Sequence, residues 1–429
     1  MNRAEFLVRT AAFAVGLDAR PRFYSRPDLS PPVVRVLRRA SGLAPGYLFL
    51  APSSGPGAHG PLILDDAGDP VWFRLTGGPA MNFRVQTLHG EPVLTWWEAL
   101  PGGGLGRGEH VVVDASYREV MRFPAGEGRP SDLHELLLTE RGTALVTSFE
   151  VRHRGAHGLT MGGIVQELEI PSARVLFEWK SLDHVGVEET YSTKVGYPWD
   201  YFHVNAIDVD ADGNLLVSAR NTWTVYKVNR TTGGLIWRLG GKRSDFAFGD
   251  GARFAWQHDA RSHEDGRVIS VFDNGVSHSR GLVLELRGRH ASVLHEYRHG
   301  PPLHGYKLGS VQLLGNGDVL VGWGTDPHTT EFTREGAAKL DLTLPRGGEN
   351  YRALRFPWRG RPRDEPVAVV RGATVYASWN GATEVAAWKI EPGGPAVRRT
   401  GFETALPLRA GHVVALDARG RALGSYRLG

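Results

Sequence analysis

Histidines near the start of repeated strand–turn–strand units are the residues of this chain best suited to chemistry. His134 and His258 each precede the glycine of their turn by eight residues, and His203 precedes its glycine by ten. Since eight and ten have the same parity, regular strands would present all three side chains on one face. Imidazole can attack an electrophile or move a proton near neutral pH. The spacing therefore predicts one pocket lined by three histidines.

Two amide side chains are predicted to accompany the histidines. Asn205 also precedes its turn glycine by eight residues, and Gln257 directly precedes His258. Neutral hydrogen bonds suit the oxygen atoms of a bound substrate, so His134, Asn205 and Gln257 are predicted to bind it. A bulge in any of these strands would break the count on which the shared face depends.

A metal centre is the competing interpretation of such a cluster, because histidine is a common metal ligand. The chain contains no HExxH spacing, and carboxylates do not recur at the equivalent positions. The segment from Gly55 to Gly60 matches GxGxxG, but no helical pattern follows it and Pro56 lacks an amide hydrogen. No GxxxxGK[ST] loop is present either. We therefore expect neither a metal nor a cofactor.

The units that carry these residues recur along most of the chain. A series of aromatic residues ends them at intervals of 51, 56, 58, 60 and 59 residues: Trp72, Phe123, Trp179, Trp237, Tyr297 and Phe356. Units of that length suit four-stranded blades, so residues 31–360 are predicted to form an all-β, six-bladed β-propeller. A tandem of β-sandwiches is the alternative. Short apolar strands in residues 361–429 predict a small C-terminal β-sandwich.

Composition narrows the class of protein further. The 55 Gly and 26 Pro indicate many tight turns, and the absence of Cys excludes disulfides and thiolate catalysis. A net charge of +4 without a long basic run predicts no nucleic-acid partner, and no apolar run is long enough for a transmembrane segment.

The N-terminal segment, residues 1–30, resembles a twin-arginine export signal in which Ala4 replaces the second arginine. Export to the periplasm or the outside of the cell is one expectation. A short amphipathic helix that docks on the domain is the other.

Long stretches of the chain resemble the bacterial, nucleotide-independent aryl sulfotransferases, in the branch common among actinobacteria and some fungi. The similarity is densest in WDYFHVNAIDVDADGNLLVSARNTWTVYKVNRTTGGLIWRLGGKRSDF and FAWQHDARSHEDGRVISVFDNG. It extends to FYSRPDLSPPVVRV, GSVQLLGNGDVLVGWG and YRALRFPW. The resemblance implies a six-bladed propeller that moves a sulfuryl group from an aryl sulfate to a phenol through a sulfohistidine, without phosphoadenosine phosphosulfate.

The resemblance also implies roles for single residues. His203 matches the histidine of an HVN motif, His258 that of QHDA, and Arg280 the arginine that follows FDNG. In GWGTDPHTTEF, His328 best fills the place of the nucleophile. A guanidinium can hold two sulfuryl oxygens, and Arg280→Ala is expected to lower turnover by roughly 10² to 10³. A non-catalytic ligand-binding propeller and an aryl sulfate hydrolase are the alternatives.

Overall fold

The computed structural model describes residues 22–101, 106–194 and 197–428, and nearly all of its regular structure is β-strand. Most of the segment predicted as an export signal lies outside these residues. The strands up to residue 180 are β1 (Arg35–Arg39), β2 (Tyr47–Leu50), β3 (Leu62–Leu64), β4 (Pro70–Phe73), β5 (Ala80–Leu88), β6 (Glu91–Ala99), β7 (Gly108–Val113), β8 (Glu119–Phe123), β9 (Leu136–Leu138), β10 (Thr143–His153), β11 (Leu159–Glu169) and β12 (Arg174–Lys180).

The second half of the chain continues the pattern. Its strands are β13 (Trp199–Asp200), β14 (Val204–Val209), β15 (Leu215–Ala219), β16 (Thr224–Val228), β17 (Leu235–Gly240), β18 (Ala247–Phe248), β19 (His258–His263), β20 (Val268–Asp273), β21 (Arg280–Arg287), β22 (His290–Tyr297), β23 (Ser310–Leu313), β24 (Val319–Gly322), β25 (His328–Phe332), β26 (Ala338–Thr343) and β27 (Leu354–Phe356). The C-terminal strands are β28 (Val367–Arg371), β29 (Thr374–Ser378), β30 (Ala387–Glu391), β31 (Val397–Arg398), β32 (Glu403–Pro407), β33 (His412–Leu416) and β34 (Ala422–Arg427).

The helical segments whose bounds the structure describes are all short: two 3-10 turns (Gly155–His157 and Val187–Glu189) and α1 (Ser181–His184). No helix in the described part of the chain has the length and apolar character needed to cross a membrane. The all-β class predicted from the sequence is confirmed.

Antiparallel sheets built from consecutive strands dominate residues 35–356. Their orders are β5-β6-β7-β8, β12-β11-β10-β9, β14-β15-β16-β17, β22-β21-β20-β19 and β26-β25-β24-β23. A further sheet, β27-β2-β3-β4, combines strands from both ends of this region, and β1 adds to the edge of β26. The two-residue strands β13 and β18 pair in parallel with β11 and β22.

Apolar residues fill the spaces between neighbouring sheets. In β2, Leu48 and Leu50 belong to a cluster shared with Leu340 and Leu342 of β26, whereas Phe49 packs with the cluster that contains Phe83 of β5. Alternate side chains of a strand point to opposite faces, so this sheet is covered on both sides. Such two-sided burial explains why the inner strands read as nearly continuous apolar runs.

A buried ionic network joins the first strands of these sheets. Arg352 and Glu135 lie at its centre with side chains that are 0% exposed, and they are joined by two hydrogen bonds of 2.8 and 3.0 Å. The network takes one residue from each of six sheets: Asn82 in β5, Glu135 before β9, Asn205 in β14, Asp259 in β19, Val311 in β23 and Arg352 before β27. The first strands of the six sheets, or the residues just before them, therefore meet at this network.

The C-terminal strands form two more sheets, ordered β28-β29-β32 and β31-β30-β33-β34. Val375 of the first sheet and Trp388 and Val413 of the second belong to one apolar cluster. This region contacts the preceding sheets through Tyr117, whose hydroxyl donates to the carbonyl oxygen of Gly381 at 2.8 Å.

Candidate active site

A cavity of about 860 Å³ opens beside the buried ionic network, and three histidines line it. His134 precedes β9, His203 precedes β14, and His258 begins β19, so three different sheets supply the rings. The rings of His134 and His203 are 5.0 Å apart between centroids. The sequence predicted that these three side chains share a pocket, and all three line this cavity.

Bulges in the inner strands make some residues face the cavity and the residues that follow them face the ionic network. The pairing register shifts between Met81 and Arg84 in β5 and between His258 and Arg261 in β19. Within these bulges Asn82 and Asp259 adopt left-handed φ values of 56° and 55°. As a result Met81 and His258 line the cavity, while the residues that follow them turn to the ionic network.

His134 is held by a buried carboxylate. Its Nδ1 lies 2.6 Å from Oδ2 of Asp132, which also accepts a 2.9 Å hydrogen bond from Thr147. Burial would raise the pKa of Asp132, but His134 and Thr147 hold it below its usual value of 3.8. The ionised carboxylate fixes the ring so that Nε2 is the nitrogen left for a ligand.

His203 has the same arrangement in a more open position. Its Nδ1 lies 2.6 Å from Oδ2 of Asp200. The side chain of His203 is 29% exposed, against 7% for His134. The backbone of His203 adopts a left-handed φ of 57°, just before β14 begins. The ring of His203 is therefore the more exposed of the two, and its Nδ1 is the nitrogen occupied by Asp200.

His258 is a neutral, buried ring. Burial and then the charge of Arg220 hold its pKa well below 6.5. The Nδ2 of Asn274 donates to the carbonyl oxygens of Gly305 and Leu308, so its Oδ1 accepts the Nδ1 hydrogen of His258 at 2.7 Å. Nε2 then accepts from the backbone N–H of Leu308 at 3.3 Å. In this state His258 has no free N–H to offer an anion.

Two cationic side chains line the same cavity, Arg220 and Lys307. Arg220 stacks 4.7 Å from the Trp256 ring centroid, and its Nη2 donates to the carbonyl oxygen of Tyr306 at 3.0 Å. Burial lowers the pKa of Arg220 and Asp200 partly restores it. Lys307 pairs with Glu349 at 3.2 Å. Three carboxylates line the cavity as well, those of Asp132, Asp200 and Glu349, so Arg220 is the cation without an ion-pair distance to a carboxylate in this lining.

Apolar side chains make up much of the remaining wall. They are Pro79, Met81, Leu133, Phe149, Met161 and Leu308. An aromatic ring would bury its faces against such a surface, while a charged substituent could reach the polar end.

Asn205 and Gln257 do not face this cavity, which corrects the position expected from the register. Nδ2 of Asn205 donates to the carbonyl oxygen of Gln257 at 2.6 Å, and Nε2 of Gln257 donates to the carbonyl oxygens of Ala219 and Thr224. Both side chains are 0% exposed. The register of β14 shifts between Val204 and Ala206, and this bulge turns Asn205 towards the neighbouring sheet.

Arg280 also lies away from the cavity. Its Nε donates to Asp273 at 2.8 Å, its Nη1 pairs with Glu296, and its Nη2 donates to the carbonyl oxygens of Gly251 and Arg253. Each of its nitrogens thus has a partner within the protein. The expected position beside a substrate is corrected, because these bonds tie the guanidinium to the surrounding loops.

His328 stands at the start of β25, the third strand outward in its sheet, and is not among the cavity residues. Its Nδ1 lies 3.1 Å from Oδ1 of Asp341, and its ring is 4.7 Å from that of His299. The structure therefore does not place His328 with His203 and His258. The chemical roles expected of all these residues stay predictions.

Sequence reasoning missed the groups that orient the histidines. Asp132 stands two residues before His134 and Asp200 three residues before His203, so a local Asp–His spacing was the available signal. Asn274 lies in the FDNG motif that was used only as a landmark. Nothing local to Arg220 marked it, because strands β15 and β16 carry it to the cavity.

Comparison with known proteins gives a family. The family described as arylsulfotransferase (ASST) matches residues 84–344. No curated protein matches the chain. Similar solved structures include a protein of unknown function from Bacteroides caccae, at 16% identity and a TM-score of 0.44, covering 72% of this chain and 98% of that one. The Dos1 propeller has 10% identity and a TM-score of 0.35, and the match covers 77% of this chain and 73% of that one. A streptogramin B lyase has 11% identity and a TM-score of 0.34, and the match covers 72% of this chain and 97% of that one.

Proposed function

This chain belongs to the arylsulfotransferase (ASST) family, and we propose that it moves a sulfuryl group from an aryl sulfate to a phenol in the cavity lined by His134, His203 and His258. Family membership supports aryl sulfotransferase activity on small molecules in general. The observation that carries the finer proposal is the pair of imidazoles, 5.0 Å apart, each bound through Nδ1 to a carboxylate.

We propose that the six sheets of residues 31–360 are blades around one axis. Two observations support this arrangement: the ionic network takes a residue from each sheet, and the sheet β27-β2-β3-β4 unites both ends of the region. We propose further that residues 361–429 form a β-sandwich, since their two sheets share one apolar cluster.

His203 is the proposed nucleophile, because its side chain is more exposed than that of His134 and its Nε2 has no hydrogen-bond partner within the part of the chain that the structure describes. The Nε2 lone pair attacks sulfur while the bond between sulfur and the aryl oxygen breaks, and the electrons of that bond leave with the phenolate. The ring gains positive charge as the N–S bond forms. Asp200 lies 2.6 Å from Nδ1 of His203 and stabilises that charge without taking the proton.

His134 is the proposed acid and base. In the first half of the reaction, protonated His134 gives its Nε2 proton to the departing phenolate oxygen. In the second half, neutral His134 takes the proton of the acceptor phenol as the phenol oxygen attacks sulfur and the N–S bond breaks. Asp132 keeps the ring in the orientation that both steps require.

Charge stabilisation falls to Arg220 rather than to Arg280. Negative charge is spread over the sulfuryl oxygens during transfer, and a fixed cation in a water-poor site lowers the energy of that state. Arg220 lines the cavity and acts electrostatically on both His258 and Asp200. Because the aryl sulfate carries the group to be transferred, the scheme needs no adenylyl donor and no cofactor.

The test is a transfer assay with an aryl sulfate donor and a phenolic acceptor, without phosphoadenosine phosphosulfate, in which the sulfated acceptor is measured by mass spectrometry. Wild type should form this product and His203→Asn should not. The matched control His304→Asn changes an exposed histidine outside the cavity and should retain transfer. Free sulfate in place of sulfated acceptor would identify a hydrolase. If a broad set of aryl sulfates gave neither free sulfate nor sulfated acceptor, the result would contradict the proposal and favour a ligand-binding propeller.

A further inference from the structure

A second cluster of ligand-forming side chains lies outside the candidate active site. His299 follows β22, His328 begins β25 and Asp341 lies in β26, so the cluster connects two neighbouring sheets. One nitrogen or oxygen from each residue lies within 4.8 Å of the others. The side chains of His299, His328 and Asp341 are 9%, 19% and 12% exposed, so the cluster is largely buried but still reached by solvent.

The orientation of the three side chains is fixed by the protein. Nδ1 of His299 lies 2.8 Å from the carbonyl oxygen of Pro301, which leaves Nε2 to face Asp341 at 3.2 Å. Asp341 also accepts a 3.0 Å hydrogen bond from Thr330, its cross-strand partner. A metal-binding histidine commonly donates its other ring N–H to a backbone carbonyl, as His299 does here.

An unsatisfied carboxylate oxygen adjoins this cluster. Oδ1 of Asp326 is buried and has no hydrogen-bond partner among the described residues. Asp326 interacts electrostatically with His299, His328 and Asp341. The carboxyl group of Asp326 accepts a backbone hydrogen bond from His328, so Oδ1 is the oxygen left to face a positively charged partner.

We propose that His299, His328 and Asp341 bind a divalent transition-metal ion, with the carboxylate of Asp326 close enough to add negative charge. Two imidazole nitrogens with carboxylate oxygens suit Zn²⁺, which binds such donors at about 2.0–2.2 Å in a tetrahedron. The N···O separations of 3.1 and 3.2 Å are close to the spacing of ligands around such an ion, so small side-chain shifts admit it.

The role of such an ion follows from its position. Its ligands come from the connection after β22 and from β25 and β26, so the metal would tie one sheet to the next. We therefore expect a structural contribution rather than a part in the chemistry of the histidine-lined cavity. The sequence predicted no metal, and a metal centre was the alternative only for the histidines of that cavity.

The test is Zn²⁺ binding to chelator-treated, full-length protein, followed by isothermal titration calorimetry and by the visible spectrum after Co²⁺ substitution. We expect one tight site per chain, an intense tetrahedral Co²⁺ spectrum and a Tm raised by a few degrees. Loss of a residue that only orients a metal ligand typically weakens metal binding by roughly 10- to 100-fold. His328→Asn and Asp341→Asn each remove a ligand, so each should weaken Zn²⁺ binding by more than that.

Two control variants separate this site from other histidines. His304→Asn changes an exposed histidine, and His203→Asn changes the histidine-lined cavity. Both should bind Zn²⁺ with wild-type affinity. Weak binding in wild type, unchanged affinity in folded His328→Asn and Asp341→Asn, or loss of the site in His203→Asn would overturn the proposal. Circular dichroism establishes that each variant is folded.

Discussion

Replacing Glu135 by Gln should destabilise the protein strongly, because this carboxylate neutralises the centre of the buried network. Its oxygens accept hydrogen bonds from Arg352 and, at 2.7 Å, from Arg261. Burial alone would raise the pKa of Glu135, but Arg261, Arg352 and Arg84 lower it from 4.5 to about 2. At 1.36 kcal/mol per pKa unit, this shift corresponds to roughly 3 kcal/mol of stability.

The pH at which that stability is lost follows from the sign of the shift. A carboxyl group with a lowered pKa in the folded state stabilises the protein fully above its unfolded pKa of about 4.5, and the contribution disappears as the pH falls towards 2. Glu135→Gln should therefore lower the free energy of unfolding by about 3–5 kcal/mol at pH 7, since it leaves buried guanidinium groups without a counter-charge. The gap to wild type should narrow below pH 4.5.

Urea unfolding at several pH values between 3 and 7, followed by tryptophan fluorescence, measures both quantities. Glu140→Gln is the matched control, because Glu140 is exposed and its replacement should change the free energy of unfolding by less than about 0.5 kcal/mol. A loss below about 1 kcal/mol for Glu135→Gln, or a gap that stays constant with pH, would refute the electrostatic role of the network.

Three further predictions concern the site and its surroundings. Arg220→Gln should lower kcat/KM for sulfuryl transfer by roughly 10² to 10³, as measured with a chromogenic aryl sulfate, and an unchanged value would mean that its charge does not act on the reaction. Arg280→Gln should lower the free energy of unfolding by about 3 kcal/mol in urea, because it leaves Asp273 buried without its partner, while the folded variant keeps a wild-type kcat/KM. His258 has a pKa well below 6.5 in the folded state, so its contribution to the free energy of unfolding is complete above pH 6.5 and declines by up to about 1.4 kcal/mol per pH unit as the pH falls. In urea unfolding from pH 7 to 5, His258→Gln should flatten that decline, and an equally steep decline would contradict the prediction.

Sequence patterns were sufficient for the all-β class, because that class follows from strand periodicity. Counting back from turn glycines also predicted that His134, His203 and His258 share a cavity, and all three line one. Strand periodicity does not explain this outcome, because His134 and His203 precede their strands and the bulge in β19 lies between His258 and its turn glycine. The same count failed for Asn205, since a bulge in β14 reverses the side of the strand that this residue faces. A single extra residue in the pairing register has no distinct sequence signal.

Motif matching was weaker for residues whose position depends on distant partners. Arg280 and His328 each follow a recognisable motif, yet Asp273 and Asp341 draw their side chains away from the cavity. Arg220 shows the opposite case, because contacts with the distant Trp256 and Tyr306, and no local pattern, hold its side chain at the site. Contacts between residues far apart in sequence decide such positions, and one sequence does not display them.

The most direct test of the proposed reaction is to trap the intermediate on the protein. The enzyme is mixed with an aryl sulfate and no acceptor, and its peptides are mapped by mass spectrometry. The account predicts one added sulfuryl group per chain on the peptide that contains His203, removal of that group by a phenol, and no label in His203→Asn. A label on the peptide that contains His328, or turnover without any labelled histidine, would contradict it.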